Sequence, residues 1–559
     1  MAMSSLTKFL IPIFFIGLLF FAKLGTYPLN APDSARYAEI PREMTVTHDY
    51  VIPHLNGLPY LEKPPFFYWL QAISIKIFGV NDFAVSLPNA VMGFLCCLVV
   101  LFATRKIYGH LAAILSAIIL ATSSLFFALT RIVTLDMTLT FFLTAALMSF
   151  ILGAKEEGRA KQKYYMWLMY IFAACAAMTK GLVGAIFPSA IIFFWVLFCR
   201  EWSSIKKYCI PSGMIIILLL VAPWHILVQL KNPDFFKFYF IGEHFLRYLT
   251  PYSDRAQPFG FLLVVFLGGF FPWTVFLLQS IRYNFLYYSK DKSSYKYKAF
   301  VFLIIWAAFI FLFYTFSHSK LITYILPIFP PFAILVGNYC AANLKYVNLK
   351  NQGVHIGFLS VSLLYIIIGI GLLLAPHFID FTKQSISISC LSYAWLFALV
   401  GGFAIYICYY FNLLYGVVAL VIVTAGVFYC TNPIITVINN KSIKPLILIL
   451  QQRLQPNDEV ASYDYYFQDL PFYLQRTVDV VHYKGELEYG ANHQKNADQW
   501  MLNFTSFFKT WNSNKKMYMI IEKSKYNEFS VSQKARMYII SQYSDKLLLT
   551  NVKPITNFH

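Results

Sequence analysis

The sequence predicts a polytopic α-helical membrane protein, with about thirteen transmembrane helices and a small C-terminal α/β domain outside the bilayer. Three observations predict it. Of the 559 residues, 58% are hydrophobic, and the mean hydropathy is +0.59, whereas soluble domains are about half apolar. The apolar residues gather in blocks of about twenty, the length that crosses a hydrocarbon core of about 30 Å. From Lys441 onward charged residues, Asn and Gln return, and short strand-forming runs alternate with helix-like stretches.

The apolar blocks fall at about 9–22, 83–103, 111–128, 135–153, 164–179, 182–199, 208–230, 258–281, 299–316, 321–342, 354–375, 388–409 and 411–429. Lys8 and the apolar run to Phe21 imitate a signal peptide. They read as an uncleaved first span, because further spans follow. Lys180-Gly181 interrupts one long apolar stretch. Aromatic residues make up 19% of the chain, which suits lipid-facing Phe and interfacial Tyr and Trp.

Orientation follows from the short loops. Arg105-Lys106, Lys155 to Lys163, Arg200 to Lys207, Arg282 to Lys298 and Lys345/Lys350 all fall on one side. The alternate loops hold isolated cations such as Arg131, Lys320 and Lys383. The positive-inside rule puts the rich set in the cytoplasm. The loops at 23–82 and 231–257 and the tail then lie outside. The chain divides into a membrane part, 1–430, carrying those two loops, and a soluble part, 431–559. The net charge of +19 suits anionic headgroups. Nucleic-acid binding is excluded as a class, because the basic residues sit in short loops between spans. All nine Cys lie in or beside apolar blocks without a CxxC pair, so disulfides and cysteine metal sites do not organise the polar parts.

In the tail, strand-like runs at Val460–Tyr463, Thr477–His482, Met517–Glu522 and Tyr538–Tyr543 alternate with helix-like stretches at Phe467–Gln475, Ala497–Lys509 and Ser524–Ala535. This is the alternation of a small α/β domain. The first outer loop also holds two helix-like stretches. In Asp33–Thr45, Ala35, Ile40 and Met44 are apolar while Arg36, Glu39, Arg42 and Glu43 are polar, as in a helix lying at an interface. Pro65–Phe78 is strongly aromatic, and Pro64-Pro65 suits a helix start.

This loop, APDSARYAEIPREM (31–44) with VIPHLNGLPYLEKPPFFYWLQA (51–72), resembles the first outer loop of the bacterial lipid A aminoarabinose transferases. These belong to the polyprenyl-phosphate-mannose-type, C-fold (GT-C) glycosyltransferases. The resemblance continues through RIVTLDMTLTFF (131–142), MTKGLVG (178–184), EHFLRYLTPYSDRAQPF (243–259), SHSKLITYILPIFPP (317–331), and DLPFYLQR with KGELEYG (469–490). It covers nearly the whole chain, in order. It implies a GT-C fold in the bacterial inner membrane, with its active site and tail facing the periplasm. The implied activity is inverting transfer of 4-amino-4-deoxy-L-arabinose, or a related aminosugar, from undecaprenyl phosphate to lipid A. That modification lowers the negative charge of the envelope and weakens binding of cationic peptides such as polymyxin. No nucleotide or organic cofactor is expected.

Such a transfer passes through an oxocarbenium-like state while negative charge grows on the departing phosphate, so fixed cations are needed beside the leaving oxygen. Lys63, held between Glu62 and two prolines, is assigned to the donor phosphate; the alternative is a surface lysine. Arg36 and Arg247 are further candidates, since a guanidinium grips two phosphate oxygens, although Arg36 also reads as an interfacial anchor. Lys180, Lys320 and Tyr324 stand where they could approach the phosphate from the membrane side, or snorkel to the interface. The resemblance makes Asp33 and Asp136 the family's paired acidic positions; a helix N-cap is the bland reading of each. A hydroxyl acceptor needs a base, whereas a lipid A phosphate does not. Asp33 would then orient Arg36 or the sugar amine. Glu62 and His244 are of the types that bind zinc, and relatives bring a carboxylate and histidines together here. The second histidine expected before Gln257-Pro258 is absent, and Asp254-Arg255 stands there instead.

Two other readings are weighed. A protein O-glycosyltransferase would share the donor site. A lipid-linked sugar flippase would bind the same lipid but leave its sugar bond intact; transporters usually carry inverted repeats and midplane polar sites, and none is visible.

Overall fold

The computed structural model describes residues 7–26, 28–29, 31–250, 255–345, 352–378, 388–438 and 441–553. Asp254, Lys350 and Lys383 lie outside them, as does the side chain of Lys345. The chain forms two compact units. One comprises Met1–Leu24, Glu62–Phe67 and Leu87–Ile435; the other comprises Gly25–Leu61, Tyr68–Ser86 and Thr436–His559. The division expected at 430 therefore places the first loop differently. Most of 23–82 joins the compact unit of the tail.

The first unit is helical, and every expected apolar block is a helix or a bent pair of helices. Among the described residues eight helices are long and apolar enough to cross a membrane, or up to ten if each bent pair is one span. This is a multi-pass membrane protein. Leu135–Lys155 is almost wholly buried and forms the middle of the unit. Two of its hydroxyls are satisfied along the helix, Thr140 Oγ1 donating to Asp136 O at 2.7 Å and Thr144 Oγ1 to Thr140 O at 2.6 Å, so these two cost little in an apolar setting. Ile210–Lys231, by contrast, leaves most of its surface exposed. Gly337 lets Phe329–Lys345 approach His110–Ala121, for a Cβ there would overlap Ser116.

The two bent pairs explain each other. His110–Ala121 and Ser124–Arg131 meet at 63°, and Phe261–Gly269 and Trp273–Tyr288 at 101°. Backbone groups freed at a break inside a membrane protein need partners. Here Phe271 O accepts from Ser124 N at 3.0 Å and Ser124 Oγ at 2.9 Å, and Trp273 Nε1 donates to Thr122 Oγ1 at 2.9 Å. Arg131 donates to the carbonyls of Phe20, Ala22 and Lys23 at 3.2, 2.9 and 2.8 Å, which satisfies the open end of Thr7–Phe21.

In the second unit the Asn56-Gly57 turn joins β1 (His54–Leu55) to β2 (Leu58–Pro59), with both turn residues at positive φ, the pattern that Asn-Gly favours. The tail adds β3 (Glu459–Tyr463), β4 (Asp479–Val481), β5 (Met501–Leu502), β6 (Met517–Glu522), β7 (Tyr538–Tyr543) and β8 (Lys546–Thr550). These form one sheet in the order β5-β4-β3-β6-β8-β7, parallel from β5 to β6 and antiparallel through β8 and β7. Ala461, Phe507, Trp511, Met519 and Leu549 lie in its core. Besides β1 and β2, two strands of the tail escape the sequence reading. β8 is wholly buried, so it shows no alternation. β5 is two residues long and lies inside the helix-like stretch 497–509. The stretch 524–535 is two helices, Lys523–Glu528 and Val531–Lys534, the second opened by a Ser530/Gln533 capping box.

The helix Asp33–Thr47 departs from the interfacial expectation. Its polar residues Arg36, Glu39, Arg42 and Glu43 are buried. Pairing makes this possible, because a buried charge needs a counter-charge. Arg42 forks onto Glu39 at 2.5 and 2.6 Å, and Glu43 accepts from Gly57 N at 3.0 Å. Burial, with Glu39 beside it, pushes the Glu43 carboxyl well above its usual range. Asn56 ties loop to tail within this unit: its Nδ2 donates to Val478 O, and its Oδ1 accepts from Val478 N, both at 2.9 Å. Asn56→Ala strands two buried backbone groups, at roughly 1–3 kcal/mol each. Thermal melting of the full chain should show the unfolding midpoint of the variant several degrees lower.

Candidate functional site

A cavity of about 370 Å³ lies in the first unit. Four parts of the chain bring charge to it. Lys63 comes from the short Glu62–Phe67 segment, where the two prolines lead into the helix Phe66–Phe78. Lys180 ends the helix Arg159–Lys180, where the C-terminal dipole favours a cation. Asp136 sits in the first turn of Leu135–Lys155. Glu243, His244 and Arg247 come from the π-type helical segment Lys237–Leu246 and the turn that follows it. Segments of this wide-turn type recur at functional sites.

The charges are paired and largely buried. Glu243 Oε2 accepts from Arg247 and lies 3.5 Å from Lys63 Nζ. Arg247 also faces Glu62 at 3.8 Å. Lys180 pairs with Asp136, and its ammonium lies 4.1 Å from the centre of the Tyr324 ring, a cation–π contact. Burial, then the positive charge of Arg247, lowers the Lys63 pKa; an anion in the cavity would offset both. Ser319 Oγ also lines the cavity, is buried, and has no hydrogen-bond partner among the described residues. The remaining wall is apolar, with Leu182, Val183, Ile186 and Phe313. The arrangement presents three cations and an unused donor to a ligand with a phosphate-like head and an apolar tail.

Of the sequence candidates, Lys63, Arg247, Lys180, Tyr324 and His244 line this one cavity. Lys320 is not among its lining residues; its ammonium donates to Gln257 O at 3.2 Å. Asp33 and Arg36 belong to the second unit. There Arg36 pairs with Asp33 at 3.0 Å and with Glu486, so its guanidinium is taken up by two carboxylates. Neither aspartate is an N-cap: Thr134 caps Leu135–Lys155, and Pro32 precedes Asp33. Sequence reasoning missed Glu243 and Ser319. The i,i+4 spacing of Glu243 and Arg247 was a usable signal.

The zinc expectation meets an obstacle in His244. Its Nδ1 faces the carbonyl of Tyr239 at 2.8 Å. A carbonyl only accepts, so Nδ1 carries the proton. Nε2 then accepts from Leu182 N at 3.2 Å, and both ring nitrogens are engaged. Burial draws the His244 pKa down to about 4, keeping the ring neutral. Gly181, at φ +76°, permits this contact, since a Cβ there would overlap the His244 ring. Among the described residues no three His, Cys, Asp or Glu side chains converge as a metal site. The residues as arranged do not fit a zinc ion through Glu62 and His244. Elemental analysis of purified protein should find well under one zinc per chain, and chelation should leave its melting temperature unchanged.

Residues 62–227 match the family described as dolichyl-phosphate-mannose-protein mannosyltransferase, and residues 446–551 match the aminoarabinose transferase C-terminal domain. The ArnT structure from Cupriavidus metallidurans bound to undecaprenyl phosphate superposes with a TM-score of 0.83 at 23% identity, covering 98% of this chain and 99% of that one. The apo form gives 0.81 at 24% identity, over the same shares of both chains. Among named relatives is the undecaprenyl phosphate-alpha-4-amino-4-deoxy-L-arabinose arabinosyl transferase of Aeromonas salmonicida. It is 33% identical over 59% of each chain. That of Pectobacterium carotovorum is 30% identical over 64% of this chain and 65% of its own. The chain spans about three-fifths of the length of the first of these curated relatives. Fold and matched segments together define a polytopic membrane protein with the GT-C fold. Among proteins of that fold the chain is similar to ArnT: the aminoarabinose transferase match falls on its tail, and the ArnT fold runs over nearly all of it.

Proposed function

We propose that the chain transfers 4-amino-4-deoxy-L-arabinose from undecaprenyl phosphate to lipid A, at the periplasmic face of the inner membrane. One observation carries this reading. Lys63, Lys180 and Arg247, from three separate segments, line a single cavity together with Glu243 and an apolar stretch that includes Leu182, Val183, Ile186 and Phe313. Such a cavity suits an isoprenoid phosphate. The names of the relatives and the lipid held by the Cupriavidus ArnT support the same ligand class.

In the proposed reaction a lipid A phosphate oxygen attacks the anomeric carbon of the sugar. The bond from that carbon to the carrier phosphate breaks, and its electron pair leaves with the phosphate. Attack from the opposite face inverts the anomeric centre. The growing charge on the leaving phosphate meets Lys63 and Arg247, positioned before the step and shielded from water, where such stabilisation is strongest. Lys180 is held by Asp136 and Tyr324. The attacking phosphate is already anionic, so no general base is needed. Asp33, half exposed and held by Arg36, is proposed as a further carboxylate on which transfer depends. The cation-rich loops then face the cytoplasm and the tail faces the periplasm.

The test is mass spectrometry of lipid A after incubating purified protein with undecaprenyl-phosphate aminoarabinose and lipid A. The reading predicts a mass gain of one aminosugar and release of undecaprenyl phosphate; intact donor after full incubation would reject it. Lys63→Ala and Arg247→Ala should each lower kcat/KM by about 100-fold or more, as expected for losing a preorganised cation. Asp33→Asn should lower it while the protein still folds and inserts. Wild-type turnover in all three would remove the site assignment.

A further inference from the structure

Sugar transfer changes the charge of the carrier. The donor is a phosphodiester with one negative charge. The spent carrier is a phosphomonoester whose second ionisation lies near pH 6, so above pH 7 it carries close to two. A cavity built of cations alone would hold the spent carrier more tightly than the donor and would release it slowly. Release limits turnover in many enzymes.

This cavity is not built of cations alone. One carboxylate oxygen, Glu243 Oε2, serves both Arg247 and Lys63. The Glu243 side chain is 7% exposed, whereas that of Glu62 is 20% exposed and reaches Arg247 at 3.8 Å. A phosphate bound by Lys63 and Arg247 must therefore share both cations with Glu243. The fixed negative charge repels the ligand in proportion to the ligand's own charge, and little solvent intervenes to screen it.

Resting on the lipid-phosphate reading above, we propose that Glu243 sets the preference of this site, tolerating the singly charged diester and expelling the doubly charged monoester. It acts through the cations and through the ligand's charge, so it is a positioning and specificity residue. The competing role is purely structural, with Glu243 only bracing Lys63 and Arg247. Neutralising it would then loosen both cations and weaken both lipids alike.

The two roles separate in a binding experiment on the full chain in detergent. Undecaprenyl phosphate and its methyl diester are titrated at pH 5 and pH 8 into wild type, Glu243→Gln and Lys63→Gln. Glu243→Gln should bind the monoester about tenfold more tightly at pH 8 and gain distinctly less for the diester. The monoester gain should shrink at pH 5, where that lipid carries one charge. Equal changes for both lipids, or weaker binding of both, would overturn the proposal. Should Glu243→Gln fail to fold, wild type still decides. Its monoester should bind no more tightly than its diester at pH 8, and a tenfold preference for the monoester overturns the proposal. Wild type binding neither lipid, or binding unaltered in Lys63→Gln, brings down the lipid-phosphate reading and this proposal with it.

Discussion

A charge moved out of water must be given an opposite charge or a ligand, and both units of this chain are arranged around that constraint. In the second unit buried arginines face carboxylates. Arg42 forks onto Glu39, and Arg36 lies between Asp33 and Glu486. In the first unit the paired cations border an open cavity. Lys63 and Arg247 share one carboxylate, Lys180 leans on Asp136 and an aromatic face, and Ser319 keeps an unused hydroxyl. The same physics yields a brace in one unit and a candidate anion site in the other.

Holding cations in place inside a membrane protein needs a rigid surround. The buried helix Leu135–Lys155 positions Asp136 and returns the hydroxyls of Thr140 and Thr144 to its own backbone. The two bent pairs satisfy each other's freed groups instead of exposing them to lipid. Gly181 turns the chain after Lys180 and leaves room for the His244 ring, whose engaged nitrogens pin the segment that carries Glu243 and Arg247. A histidine that reads in sequence as a metal ligand thus serves as a strut.

Much of this was legible in the sequence. Every apolar block became a helix or a bent pair, and four of the phosphate candidates, Lys63, Lys180, Arg247 and Tyr324, converge on one cavity. What escaped has physical causes. Arg36, Glu39, Arg42 and Glu43 looked like a wet face because helical periodicity marks polarity, not pairing; their partners lie nearby on the helix, at Gly57, or some 450 residues away at Glu486. The grip of Asn56 on Val478, 422 residues away, left no mark in the sequence. Wholly buried β8 lacked the alternation that betrays a half-exposed strand. Glu243 carried no signal beyond its i,i+4 spacing from Arg247.

The central claim is that Lys63 and Arg247 act on one and the same phosphate. A double-mutant cycle on undecaprenyl phosphate binding tests it most directly, comparing Lys63→Met, Arg247→Met and the double variant with wild type. Shared action predicts that the double variant departs from the sum of the single losses by about 1 kcal/mol or more, as groups in one network do. Losses that add within about 0.5 kcal/mol, the behaviour of independent sites, would contradict the account.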